Sequence, residues 1–477
     1  SVTIIRGMKK APSRIPVDFT CPLTREQAER IFDLGREAVI FVLIALAARV
    51  AGLKGEAASG PSGMIPAHKK PSSRKRGKRP GAKKGHPGKR RKDPPEITHE
   101  VEHPPMENCP ECGSPLGEPA ERRFRLIEDI PEIWPEVTRH SVPRQWCPSC
   151  RKLVEPPVPD ALPGARFGHR LIVLTAWLHY GLGVSISQVV TVLNVHLHFK
   201  ASCGGLVNAW QRLAELLFAW YEAIGRQVRS SGVLHADETG WRKNGTTVWL
   251  WCFTTSHATC YMIDRSRGSP ALSRFFTDTF NGVLVSDFWP AYNAVVCAAH
   301  QACLPHLFRE LDKVSERDRS AAWKAFAKKL RRLLRDGVRL ARRRDEFTPE
   351  TFASRRSRLA KRLEKISRIP RNNRNVTRLQ KRLRRWQDAL FTFVDHPQVP
   401  SDNNHAEREI RPAVIMRKNI LCNRSDTGAN AQAILMSVYR TLRLRGLDPL
   451  ETIAGALREY VRTGNMPPLP DPKPSDG

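Results

Sequence analysis

Three acidic residues stand where a folded chain could bring them to one point. Asp237 lies in Val233-Leu234-His235-Ala236-Asp237-Glu238-Thr239-Gly240-Trp241, a short and mostly apolar run. Alternate side chains of a strand share a face, so His235 and Asp237 point one way and Leu234, Ala236 and Glu238 the other. A carboxylate near the end of such a strand is costly to bury without a partner, and a divalent metal is one partner. Asp287 ends a second apolar run, Gly282-Val283-Leu284-Val285-Ser286-Asp287. Glu407 follows Ser401-Asp402-Asn403-Asn404, good helix-capping residues, and is expected in the first turn or so of a short helix. Two strand-end aspartates and one helical glutamate can converge on two hard cations, roughly 3.5–4 Å apart, the arrangement that cuts phosphodiesters. Asp402 and Glu409 are the rival third acids; Glu409 lies about 200° round the helix from Glu407 and is expected to face elsewhere.

A second constellation is built from thiols. Cys109-Pro110-Glu111-Cys112-Gly113 and Cys147-Pro148-Ser149-Cys150 form two C-x-x-C pairs separated by 34 residues. Gly113 permits the tight turn around a tetrahedral ion, and four such cysteines suit structural zinc, with free thiols or a redox pair as the alternative. The stretches 124–130 and 134–138 are expected to be strands filling the gap. Cys303 and His306 are expected to be core-packing residues, or to position a neighbouring helical segment, without metal.

Charge points to the partner. The 477 residues hold 79 Lys and Arg against 47 Asp and Glu, a net charge of +32, which favours a polyanion such as nucleic acid over a merely sticky basic surface. Residues 69–92 contain 13 Lys and Arg, among them Lys75, Arg76, Lys78, Arg79, Lys83 and Lys84, and no acid. Interleaved with Pro and Gly, this segment is expected to be disordered when free, as a DNA-backbone clamp, a solvated tether, or both. The longest uncharged apolar run, residues 38–48, is too short for a bilayer, which needs about 20 residues, so no membrane partner is expected. No secretory signal is visible, and the first residue is Ser, as in a trimmed or altered start.

The elements that must position these groups follow from hydrophobic period and turn residues. Residues 1–54 read as a helical segment, packed against another subunit or domain or as an ordinary core helix. Residues 55–98 read as the basic linker and 99–157 as the zinc-binding module. Residues 158–230 are helical, with segments 187–194 and 202–217 as a helix-turn-helix or as plain three-helix packing. From Ser231 a three-strand meander is expected, turning at Asn244-Gly245, followed by a helix at 270–276, the Asp287 strand and a strand-like stretch at 301–306. Residues 317–385 hold 26 Lys and Arg against six acids with apolar residues at helical spacing, expected as a basic helical hairpin inserted over about 312–395. Arg408, Arg411, Arg417 and Lys418 lie near the acid site and are candidate DNA contacts. Residues 426–477 bring two closing helices and a Pro-rich tail expected to be disordered.

This order, β-β-β-α-β, a further strand, a helical insertion and a helix carrying Glu, resembles the RNase H-like fold of DDE transposases. The details resemble the insertion sequence 66 family over nearly the whole chain from about Thr24. They are Lys84-Gly85-His86-Pro87-Gly88, the Cys-x-x-Cys module, Ala236-Asp237-Glu238-Thr239-Gly240-Trp241, Cys303-Leu304-Pro305-His306, Asp402-Asn403-Asn404-His405-Ala406-Glu407-Arg408 and Gly446-Leu447-Asp448-Pro449. His405 departs from the smaller residue expected there and could tune the site.

The resemblance implies a multidomain α+β protein: an RNase H-like α/β core at 231–425 with a helical insertion, preceded by a zinc-binding module and an N-terminal helix. It implies a DDE-type DNA transposase that cuts at the ends of an insertion sequence and joins the freed 3′ ends to target DNA. Asp237, Asp287 and Glu407 then hold two Mg2+ ions, with Mn2+ as substitute, and Cys109, Cys112, Cys147 and Cys150 hold Zn2+. The implied partners are the element's terminal repeats and target duplex, a second copy of the chain, and accessory proteins encoded by the element. The implied location is the bacterial cytoplasm, on the nucleoid. The rivals are a junction or RNA–DNA hybrid nuclease of the same fold, and a catalytically retired transposase that only binds DNA.

Overall fold

The computed structural model describes residues 25–33, 39, 93–370 and 372–474. The chain forms two compact units, Ser1–Glu128 and Asp129–Gly477. In the first, the helix Arg25–Asp33 buries Ile31. The linker lysines and arginines at 75, 76, 78, 79, 83 and 84, and residues 38 and 40–48 of the apolar run, lie outside the described residues.

The strands expected at 124–130 and 134–138 do not form. Phe124, Ile130 and Val137 are 80–88% exposed and meet no partner strand, while Trp134 stacks on the His198 ring instead. The strands that do form here are β1 (Gln145–Cys147) and β2 (Lys152–Val154), an antiparallel hairpin around the second Cys pair.

Four helices follow: His169–Ala176, Ile186–Thr191, Cys203–Leu216 and Phe218–Arg229. Ser185 caps the second with a capping box and Ser202 caps the third. The first two are each extended by a π-helical turn. The third buries Leu206, Trp210 and Leu213.

The central sheet has strands β3 (Val233–Lys243), β4 (Thr246–Thr254), β5 (Thr259–Asp264), β6 (Phe280–Ser286) and β7 (Cys297–Ala302), in the order β5-β4-β3-β6-β7. The first three are antiparallel, whereas β3–β6 and β6–β7 are parallel. Asn244 (φ 46°) and Gly245 (φ 75°) both adopt positive φ, as a two-residue hairpin turn requires. The expected helix forms at Ser269–Phe275 with Pro270 in its first turn, where a missing N–H costs nothing.

Two expectations are corrected downstream. The stretch 301–306 is not one strand: β7 ends at Ala302, and Leu304-Pro305-His306 opens the helix Leu304–Arg317. The insertion is not a hairpin but continues into three more helices, Ala321–Arg342, Pro349–Arg368 and Arg374–Arg385. Side chains of Ser320, Thr348 and Asn373 cap them, and these caps mark the breaks that a continuous basic stripe conceals. Trp323, Phe326, Leu330, Leu359, Leu363, Leu379 and Leu383 form their buried seam.

The chain closes with helices Asn404–Ile420, Asp426–Leu444 and Pro449–Thr463. The tail expected to be disordered is instead held down. Trp220 Nε1 donates to the Pro467 carbonyl (2.7 Å), Lys473 N–H donates to the Arg445 carbonyl (3.0 Å), and Leu469 packs on the core. No described helix is long and apolar enough to cross a membrane.

Candidate active site

Strand register brings the two aspartates together. On the parallel pair, His235 is opposite Val285. The pairing stops there, two residues short of Asp237 on β3 and two short of Asp287, which follows the end of β6, so the parallel strands deliver both acids to the same end of the sheet. Asp237 accepts a hydrogen bond from the Glu238 N–H (2.9 Å), and Asp287 accepts one from the Trp289 N–H (2.8 Å).

Glu407 lies in the first turn of Asn404–Ile420, a helix longer than the short one expected. Burial pushes the Asp237 carboxyl well above its ordinary range, and the charges of Glu238, Asp287 and Glu407 push it further. Negative charge therefore accumulates around Asp237, as in a site that takes up cations.

Glu238, adjacent in sequence, has a different set of partners. Its side chain is almost fully buried and accepts from Arg267 Nε (3.1 Å), Arg267 Nη2 (3.0 Å) and the Tyr292 hydroxyl (2.7 Å). Arg267 is in turn held over the rings of Trp249 and Trp289, 4.5 and 4.0 Å from their centroids. Glu238 is thus neutralised by protein groups.

The rival third acids are also occupied. Glu409 is buried in an ion pair with Arg440, Nη2 to Oε1 at 2.9 Å, and its carbonyl accepts from the Tyr261 hydroxyl (2.5 Å). Asp402 accepts from the Asn404 N–H (3.0 Å) at the helix start. His405 is directed at the β4–β5 turn, its Nε2 2.7 Å from the Thr255 carbonyl.

Around Glu407 the structure adds Arg309, which the sequence reading missed, and gives contacts to His306 and Asn403, which it had named only as core packing or helix positioning and as capping. Arg309 Nη2 donates to Glu407 at 3.1 Å, and His306 Nδ1 lies 3.8 Å from the same carboxylate. Asn403 ties the helix start to β3 and to Cys303. His306 is neither simple core packing nor remote from the acids: it sits at the start of its helix beside Glu407. Nothing in the sequence marked Arg309.

A cavity of about 640 Å3 opens beside Asp287 and His306, lined further by Arg309, Lys313, Arg317, Arg378 and Arg382. Asp237 and Glu407 do not line it. Arg378 and Arg382 pair with Glu310, whereas among the described residues no ion pair joins Lys313 or Arg317. Of the basic residues on the Glu407 helix, Arg408, Arg411 and Lys418 are exposed. Arg417 is not free for a ligand: half-buried, it donates to Thr239 Oγ1 (3.1 Å) and to the Gly240 carbonyl.

The cysteine pairs have knuckle chemistry, each within its own unit. At the first, Cys109 N–H donates to the Ser114 carbonyl (2.9 Å) and Gly113, at φ 73°, donates to the Cys109 carbonyl (2.8 Å). A hydrogen bond with Ser114 holds the Cys112 thiol below its usual range. At the second, the Cys150 N–H donates to Cys147 Sγ (3.4 Å) and likewise lowers that thiol. Lowered thiols in tight turns are the donors structural zinc uses.

Comparison with known proteins agrees with this division. Residues 164–431 match the model described as "Transposase IS66 family", and residues 107–151 match "zinc-finger binding domain of transposase IS66". The first match covers more than half the chain: it belongs to the IS66 transposase family, with a zinc-finger domain ahead of the transposase domain. Three similar proteins come from Sinorhizobium fredii. "Uncharacterized protein y4hP" is 23% identical over 412 residues, covering 74% of this chain and 70% of the relative. "Uncharacterized protein y4jD" is 23% identical over 399 residues, 75% of each. "Uncharacterized protein y4qI" is 25% identical over 241 residues, so the match spans less than half of that relative (44%) and 46% of this chain.

Proposed function

We propose that this IS66 transposase is a metal-dependent DNA nuclease and strand transferase whose centre is Asp237, Asp287 and Glu407, held on an RNase H-like core. The observation that carries the reading is at Asp237: the charges of Asp287, just past β6, and of Glu407, on a distant helix, both reach this buried carboxyl and raise it. The strand order, three antiparallel strands followed by two parallel ones, supports the fold assignment.

Two Mg2+ ions, or Mn2+ in their place, would supply an activated water and neutralise the leaving oxygen. Asp237, Asp287 and Glu407 would be the residues that hold these cations. Water attacks the phosphorus at the element's end, the P–O3′ bond breaks, and the proton passes to the departing 3′ oxygen through solvent. The freed 3′-hydroxyl then attacks a target phosphorus in line and displaces that strand's 3′ oxygen. Arg309, Lys313 and Arg317 line the approach with positive charge, and the basic insertion, Arg408, Arg411, Lys418 and the 69–92 segment neutralise phosphates without reading sequence. Joining two ends calls for at least two copies of the chain. Accessory proteins of the element and a place on the nucleoid belong to the same proposal.

The test is nicking of labelled duplex carrying the element's terminal repeat, in Mg2+, by wild type and by Asp287→Asn. Metal-dependent nicking at the repeat end, lost in the variant while DNA binding persists, is the expected result. Binding without nicking by either protein would identify a retired enzyme or a missing accessory protein. Nicking that survives Asp287→Asn would overturn the site.

A further inference from the structure

Cys303, His306 and Glu407 come together from two separate elements. Cys303 precedes the Leu304–Arg317 helix, His306 lies in its first turn, and Glu407 arrives from the first turn of Asn404–Ile420. One donor atom from each, a sulfur, an imidazole nitrogen and a carboxylate oxygen, lies within 4.8 Å of the other two. A tetrahedral zinc ion with bonds of about 2.0–2.3 Å asks for little more contraction than a rotamer adjustment.

A second observation points the same way. His306 Nδ1 is buried, has no hydrogen-bond partner, and stands 3.8 Å from Glu407. Arg309 Nη1 donates to the other ring nitrogen, Nε2, at 3.4 Å, so Nδ1 carries the proton of the neutral ring and points it at Glu407 without reaching a hydrogen bond. Buried ring nitrogens left unsatisfied are uncommon, and a metal ion that displaced this proton would satisfy it.

We propose that these three residues form a second transition-metal site, selective for a zinc-class cation, that clasps the start of the insertion to the Glu407 helix. The donor set is softer than the all-oxygen shell that magnesium prefers, so Cys303 and His306 select zinc over magnesium although Glu407 is common to both sites. Glu407 gives one oxygen to each side, and the fourth zinc position is left to water or a ligand oxygen. Arg309, nearly half exposed, now supplies the countercharge to Glu407 and would swing outward on binding. Cys303, whose thiol burial pushes up to about 12, would give up its proton to the metal.

The inference goes beyond the magnesium reading, and its test needs no activity. The full-length chain is loaded with Zn2+, desalted, and its metal measured by atomic emission. Two zinc ions per chain are expected. Cys109→Ser with Cys112→Ser should leave one, and Cys303→Ser or the partly exposed His306→Gln should each leave one while the knuckle zinc stays. In the double knuckle variant, Co2+ should give a charge-transfer band of a single thiolate that vanishes on adding Cys303→Ser. One zinc ion in the wild type, or two surviving both Cys303→Ser and His306→Gln, would overturn the site without touching the magnesium proposal.

Discussion

The side-chain amide of Asn403 donates to the Ala236 carbonyl at 2.8 Å and so fixes the start of the Glu407 helix to the residue before Asp237. Its backbone N–H donates to Cys303 Sγ (3.2 Å), and its Oδ1 faces His235 Nδ1 at 3.0 Å. Since the amide nitrogen is committed to Ala236, Oδ1 is the acceptor, and a neutral His235 carries its proton on Nδ1. One buried asparagine thus joins the strand of the first acid to the helix of the third.

Asn403→Ala is expected to cost about 1–3 kcal/mol, the desolvation penalty of leaving the Ala236 carbonyl and the His235 ring unsatisfied. It should also weaken Mg2+ binding by letting Glu407 drift from Asp237. Thermal denaturation and a Mg2+ titration followed by calorimetry measure both. A variant destabilised but with unchanged Mg2+ affinity would show that Asn403 supports the fold without setting the site.

Glu409 and Glu407 lie two residues apart and are expected to behave oppositely. Removing the carboxylate in Glu409→Ala strands the Arg440 guanidinium against the sheet, a loss of about 3–5 kcal/mol for a buried pair. Glu407→Ala removes a partly exposed group and should cost far less stability while abolishing nicking. Urea denaturation of the two variants side by side decides it; equal destabilisation would contradict the assignment of roles.

Acid should destabilise the protein through two buried rings. Burial pushes His235 and His300 down to about 4, each from an ordinary value near 6.5. The unfolded chain therefore binds more protons between those values, and stability falls as pH drops from about 6.5 to 4, by up to about 3 kcal/mol per ring. His300→Gln, losing one of the two, should flatten that part of a stability-versus-pH curve. A curve of unchanged slope would mean that His300 takes up its proton at its ordinary value in the folded protein too.

The meander, its Asn244-Gly245 turn, the Asp287 strand and the Glu407 helix were all legible, because period and turn chemistry are local. The partners of the acids were not. Arg267 reaches Glu238 from 29 residues away and Arg309 reaches Glu407 from 98, and no spacing rule encodes either contact. The strands assigned to 124–130 and 134–138 failed for a related reason: alternation names a strand only if an edge exists to pair with it. Pro-rich composition likewise suggested a free tail, yet Trp220 and Arg445 supply the donor and acceptor that hold it.

The cavity beside Asp287 should be read by salt. Lys313→Ala and Arg317→Ala each remove a cation that meets no acid among the described residues, so folding should change little. If each neutralises one phosphate, the slope of log affinity against log salt should fall by about 0.9 per variant on duplex DNA. Arg417→Ala, tied to Thr239 and Gly240, should leave that slope unchanged and lower stability instead. Fluorescence anisotropy across a salt series separates these outcomes, and an unchanged slope in both cavity variants would move the DNA path elsewhere.

The charge around Asp237 predicts how metal and pH interact. Burial, then Glu238, Asp287 and Glu407, raise the Asp237 carboxyl, and burial followed by Asp287 raises Glu238. A raised carboxyl favours folding fully below the ordinary carboxylate range, and that contribution is lost as pH rises through the folded value. Magnesium replaces the missing proton, so the increase in melting temperature that it produces should grow with pH. At a hundredfold excess over its dissociation constant the gain is about 2.7 kcal/mol. Asp237→Asn removes the repulsion at its source: its metal-free melting temperature should exceed that of the wild type at alkaline pH, and Mg2+ should add little. A magnesium effect independent of pH, or one retained in Asp237→Asn, would place the cations away from Asp237.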